Sequence, residues 1–187
     1  KDDGPFIDVT QVSEPTLTVD ETVLGTDASG NFAAVFSSGY GADNAGTLVY
    51  TLGVSASGAD SGLTDVASNQ SVFLFVESGV VVGRYGSDAV DAAANGAIVF
   101  TVTVSGSTVT LDQQRALKHP TADHDESVSL TADNLVTLTA TITDKDGDSD
   151  SETVSIGSNL NFKDDGPFID VTQVSEPTLT VDETVLG

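Results

Sequence analysis

Strict alternation of apolar and polar positions recurs along this chain. Ile98, Phe100, Val102 and Val104 fall on one face of an extended backbone, with Thr101 and Thr103 on the other. Val136, Leu138, Ala140 and Ile142 alternate with Thr137, Thr139 and Thr141, and Leu48, Tyr50, Leu52 and Val54 alternate with Val49 and Thr51. Two hairpins are legible: 72–76 and 80–82 flank Glu77-Ser78-Gly79, and Ser105-Gly106-Ser107 turns the chain into Val109 and Leu111. Val154 and Ile156 are expected to close the domain, and only 88–94 has the composition of a short helix. The pattern predicts about ten short strands separated by Gly, Ser, Asn and Asp turns. The expected fold class is all-β, an immunoglobulin-like β-sandwich with extra strands, because the chain exceeds the ~100 residues of the basic fold.

Composition agrees with strands. Thr and Ser are abundant, Trp and Met are absent, and the apolar residues are mostly Val, Leu, Ala and Phe. At 39% hydrophobic residues the chain can build a core, which excludes a disordered acidic tail. Six basic residues against 29 acidic ones leave a net charge of −23. Such a surface repels nucleic acid and anionic membranes, so neither is an expected partner. It also opposes compaction unless cations neutralise it; the bland alternative is a solubilising surface suited to salty water. With no cysteine, a secreted domain needs a staple other than a disulfide, and calcium is the usual one outside cells.

A duplication organises the chain. Residues 1–25 and 163–187 are identical letter for letter, a period of 163 − 1 = 162 residues. Residues 1–162 read as one complete sandwich repeat and 163–187 as the start of the next, so the expected neighbours are identical repeats in the same chain. Stalks and spacers use many identical copies, whereas an enzyme rarely needs them. In the overhang, Phe168, Ile169, Val171, Val174, Leu179 and Val181 would be apolar without a partner sheet.

The acids cluster where cations could bind. Asp144, Asp146, Asp148 and Asp150 alternate through Asp144-Lys145-Asp146-Gly147-Asp148-Ser149-Asp150, between two alternating strands. Calcium takes six to eight oxygens, and an acid at every second position of a tight turn supplies them; the alternative is a solvated hairpin tip. Asp2 and Asp3, with their copies Asp164 and Asp165, sit in Lys-Asp-Asp-Gly-Pro-Phe linkers that suit an ion held between two domains, against the alternative of a plain polar linker. If the strand over 6–12 pairs antiparallel with that over 16–19, Asp20 lies opposite Asp8 and Glu21 near Ile7, which adds both acids to the end carrying the 144–150 loop. Asp123, Asp125 and Glu126 are candidates for a separate calcium site. His124 and Asp43 read as an exposed side chain and a turn residue. No nucleophile elbow, phosphate loop or Cys/His cluster is present, so no enzymatic activity is expected.

The linker KDDGPF, followed a strand later by VDET and closed by ITDKDGDSDSETVSI, resembles the repeat units of giant RTX-type adhesins exported by type I secretion from Gram-negative bacteria. TLVYTLGVS, VVVGR and LVTLTATITDKDGD look like those repeats too, and the resemblance covers the whole period. The acidic linker is also similar to cadherin linkers, which rigidify on binding calcium. The resemblance implies an extracellular stalk tethered at the cell surface, whose other domains bind a host, ice or biofilm partner. It implies calcium at the junctions, a role that falls on Asp2, Asp3, Asp164 and Asp165 with the 144–150 loop. A competing expectation is a calcium-dependent ligand- or sugar-binding module, which needs an exposed aromatic platform beside a calcium loop. The candidates for that platform are Tyr40, Tyr50 and Tyr85.

Overall fold

The computed structural model describes residues 4–42, 44–121, 123, 125–166, 169, 171, 177 and 179. Fourteen strands and one helix run in the order β1 Phe6–Val9, β2 Leu17–Asp20, β3 Ala28–Asn31, β4 Phe36–Gly39, β5 Thr47–Val54, β6 Ala59–Thr64, β7 Ser71–Glu77, β8 Val80–Gly86, α1 Ala89–Asn95, β9 Ile98–Ser105, β10 Thr108–Gln113, β11 Ser127–Ser129, β12 Val136–Thr143, β13 Ser149–Ser155 and β14 Leu160–Lys163 among the described residues. The result is an all-β sandwich with added strands. One layer is a six-stranded sheet ordered β3-β10-β9-β8-β7-β6. Two smaller sheets, β13-β12-β5 and β11-β14-β2, contact it through β5 and β2, and the pair β1-β4 lies against β12 and β13.

Period-two patterning explains the core. Val136, Leu138, Ala140 and Ile142 of β12 are all fully buried, while the threonines between them face outward. β5 lies across β7, β8 and β9, and β2 lies against β3 and β10. Phe100 of β9 meets Phe162 of β14 between the layers, their ring centroids 5.0 Å apart. Both expected hairpins form. At the tip joining β7 and β8, Ser78 and Gly79 take φ of 52° and 84°, the left-handed pair that matches strand twist. The helix forms where composition placed it, capped by Asp88, whose carboxylate accepts the N–H groups of Val90 and Asp91.

Two expectations about strands are corrected. First, β13 does not close the domain. After a 3-10 turn at Gly157–Asn159, β14 crosses to the other sheet and runs parallel to β2, with Leu160 level with Leu17 and Lys163 with Asp20. Second, β1 and β2 do not pair with each other. β1 pairs antiparallel with β4 and lies beside β13, whereas β2 pairs with β14. The segment between them carries Pro15, which has no N–H for a ladder. The Pro15 carbonyl instead accepts a bond from Asn159, and its ring packs on Gly30 of β3. The chain therefore changes sheets there. This puts Asp20 beside Lys163, where β14 ends, instead of opposite Asp8.

Candidate metal centre

The β12-β13 hairpin is built by its own register. Thr143 pairs with Ser149, leaving residues 144–148 as the loop. Gly147 takes φ 106°, a conformation L side chains rarely adopt. The Asp144 N–H donates to the Asp148 carbonyl at 3.0 Å. One Asp144 carboxylate oxygen, Oδ1, accepts the N–H groups of Gly147 at 3.0 Å and Asp148 at 2.9 Å. The other, Oδ2, is buried and has no hydrogen-bond partner. Asp144 as a whole is only 4% exposed, because the backbone around Gly46 lies against the Thr143 and Asp144 carbonyls, leaving no room for a Cβ.

Asp144, Asp146 and Asp148 each offer an oxygen, and these oxygens lie within 4.8 Å of one another. Calcium–oxygen bonds of 2.3–2.6 Å place two ligands on one ion at most about 5 Å apart, so the three fit one coordination sphere. The electrostatics are those of crowded acids. Burial works to raise the Asp144 pKa, but bonds from Asp146, Gly147 and Asp148 outweigh it and hold the carboxyl below its ordinary range. Asp146 moves the opposite way, because its hydrogen bond with Asp144 favours the protonated form, and burial and the Asp144 charge add to this. A divalent cation would relieve the repulsion and give the orphaned Asp144 oxygen a partner. Asp150, expected as a fourth acid of this set, is turned away. Its Oδ2 accepts the Ile7 N–H at 3.0 Å, and its Oδ1 accepts the Ser151 N–H at 2.9 Å. The loop thus lies where β1 enters, as expected for a junction; Asp2 and Asp3 lie outside the described residues, as do Asp43 and His124.

A second cluster gathers where β14 leaves. Glu21 opens the 3-10 turn Glu21–Val23 that follows β2. Its Oε1 accepts Gln113 Nε2 at 2.8 Å and the Leu117 N–H at 2.7 Å, and lies 3.6 Å from His119 Nε2. With Asp164 these side chains form a Glu-His-Asp group whose ligand atoms lie within 4.8 Å of one another. Glu21 thus joins Asp164 and His119, away from the 144–148 loop to which the assumed β1-β2 pairing assigned it. Sequence reading did not assign His119 to a site: a lone histidine in a loop gives no spacing signal, and its partners lie far away along the chain. Asp165 lines the same cleft. Asp20 caps the turn instead: hydrogen bonds from Thr22 keep its carboxyl below the ordinary range.

Asp123, Asp125 and Glu126 do not converge on one point among the described residues. Glu126 accepts the Thr121 N–H and hydroxyl, Asp125 pairs with Lys163 at 2.5 Å, and Asp123 accepts the Asp125 N–H. Of the overhang, Ile169, Val171 and Leu179 are 97%, 86% and 94% exposed, so none is buried against the sandwich; Phe168, Val174 and Val181 lie outside the described residues. No helix among the described residues is long and apolar enough to cross a membrane.

Fold and site together define an all-β sandwich domain that carries carboxylate groups suited to divalent cations where its first strand enters and where its last strand leaves. The chain belongs to the DUF5801 family, a domain of unknown function, whose model matches residues 16–157. That span contains the hairpin loop, Glu21 and His119, and Asp164 follows it. No curated protein and no solved structure matches the chain.

Proposed function

We propose that this domain is a calcium-stabilised extender repeat, one link in the stalk of a secreted bacterial surface adhesin of the RTX type. Identical linkers 162 residues apart would chain such domains end to end, while other domains of the parent protein bind the host or surface ligand. The observation that carries this reading is the orphaned, buried Asp144 oxygen in a three-acid loop beside the strand that follows the linker. An ion held there, with ligands from the linker, would select one orientation of neighbouring domains out of many. The competing sugar-binding reading lacks support from the aromatic residues. Tyr40, Tyr50 and Tyr85 all pack against the core, and Arg115 covers the Tyr85 ring at 4.9 Å.

Small-angle scattering on two tandem repeats tests the proposal. The expected result is a single extended maximum dimension in calcium and a broad distribution in chelator. Identical distributions in both buffers would make the stalk a passive tether.

A further inference from the structure

The Glu21-His119-Asp164 cluster differs in chemistry from the hairpin loop. His119 has a side chain only 3% exposed, yet neither ring nitrogen has a hydrogen-bond partner. Buried imidazoles normally find at least one. Its Nε2 faces Glu21 Oε1 at 3.6 Å, too long for a hydrogen bond. That separation is close to the edge of a zinc tetrahedron, about 3.3–3.5 Å for bonds of 2.0–2.2 Å. Glu21 is itself only 7% exposed on its side chain and is held by the Gln113 amide and the Leu117 N–H, bonds of the kind that orient a metal ligand from outside the coordination sphere. Asp164 supplies the third ligand atom, and its backbone N–H is anchored to the Glu126 carbonyl at 2.8 Å.

We propose that Glu21, His119 and Asp164 form a second metal site, selective for a zinc-like divalent transition metal over calcium. Calcium takes oxygen ligands, whereas imidazole suits zinc and its neighbours. Three separate stretches meet at this ion: the turn after β2, the loop after β10 and the first acid of the repeated linker. Binding therefore ties the linker to the domain it is leaving, whereas Asp150, at the base of the β12-β13 hairpin, holds the strand that is entering. The site stands independently of the stalk proposal, because it needs no neighbouring repeat.

Calorimetric titration of the metal-stripped 187-residue chain with zinc, in saturating calcium, tests it. One zinc equivalent is expected. His119→Ala and Asp164→Asn should each weaken it by about tenfold or more, and His124→Ala should leave it unchanged. The visible d–d bands of cobalt bound at a low-coordinate site should be lost or reshaped in His119→Ala and survive in His124→Ala. Asp164→Asn alters a linker residue outside the core, so it decides the matter even if His119→Ala fails to fold. Absence of zinc binding in saturating calcium overturns the proposal. So does a zinc equivalent that persists undiminished in Asp164→Asn, which would mean that the ion sits on other acids.

Discussion

Asp65 is a carboxylate with a fully buried side chain, and it stays charged there because of Arg115. Arg115 donates to both its oxygens, at 2.7 and 3.1 Å, and the Ser68 N–H adds a third bond at 2.7 Å. Burial pushes the pKa up, but these bonds outweigh it and the net shift is downward. A carboxyl whose folded pKa is depressed contributes stability that is complete above its unfolded value, near 3.9, and is lost as pH falls through the folded value. Asp65→Asn should therefore cost about 2–3 kcal/mol at pH 7, because Arg115 keeps some access to water but loses its partner. Urea unfolding at pH 7 and pH 3 should show that gap shrinking in acid; an equal gap at both would refute the ion-pair account. In the hairpin loop the acids divide by role. Replacing Asp146 and Asp148 together by alanine should remove one calcium equivalent in calorimetry and leave the domain folded. Asp144→Ala should also destabilise the chelated protein, by about 1–3 kcal/mol, because the Gly147 and Asp148 N–H groups lose their acceptor.

Among the elements, the most exacting turn was the least legible. β6 reads Ala-Asp-Ser-Gly-Leu-Thr, with no run of alternating apolar residues, and was not expected as a strand. It forms because β7 offers an edge and Ser61, fully buried, donates its hydroxyl to the Val72 carbonyl. Gly62 sits where the register shifts, at φ 79°, with the Thr131 side chain filling the space a Cβ would need. Gly106 also has positive φ, at 55°, but its Cβ position is open. Gly106→Ala should cost about 1 kcal/mol from backbone strain alone. Gly62→Ala should cost roughly 2–4 kcal/mol, because overpacking against Thr131 adds to that strain. Thermal melts of the two variants separate the terms, and equal losses would show that Thr131 gives way freely. By contrast, β12, β9 and the β7-β8 hairpin were legible because each buries one regular face and turns on residues whose φ is locally dictated.

At the scale of the whole molecule, the chain carries a net charge of −23, and two clusters bring acidic side chains within 4.8 Å. Cations that bind the folded chain alone stabilise it by mass action, by about 2.7 kcal/mol at a hundredfold excess over Kd. Excess chelator should therefore lower the melting temperature by several degrees, since about 1 kcal/mol shifts Tm by roughly 2–4 °C for a domain of this size. Added calcium should restore part of the loss, and added zinc a further part. A melt indifferent to chelator would refute cation stabilisation at both clusters.

The sequence by itself determined the fold class, the hairpins, the helix and the acidic loop, because each is a local matter: side-chain period, a glycine at a tight turn, an acid at alternate positions. It also determined the repeat, which is identity along the chain. Only the tertiary structure decided which strands pair. β1 and β2 look like neighbours along the chain, yet Pro15 and Gly30 send them to different sheets, and β14 takes the place beside β2 that β1 was expected to fill. That choice carried Glu21 away from the hairpin loop and set it against His119, 98 residues later by 119 − 21, and against Asp164. A pairing between distant strands is decided by the burial of whole faces at once, and no window of sequence contains that sum. The local period could therefore announce the acidic hairpin loop, whereas the mixed Glu-His-Asp cluster exists only once the sheets are packed.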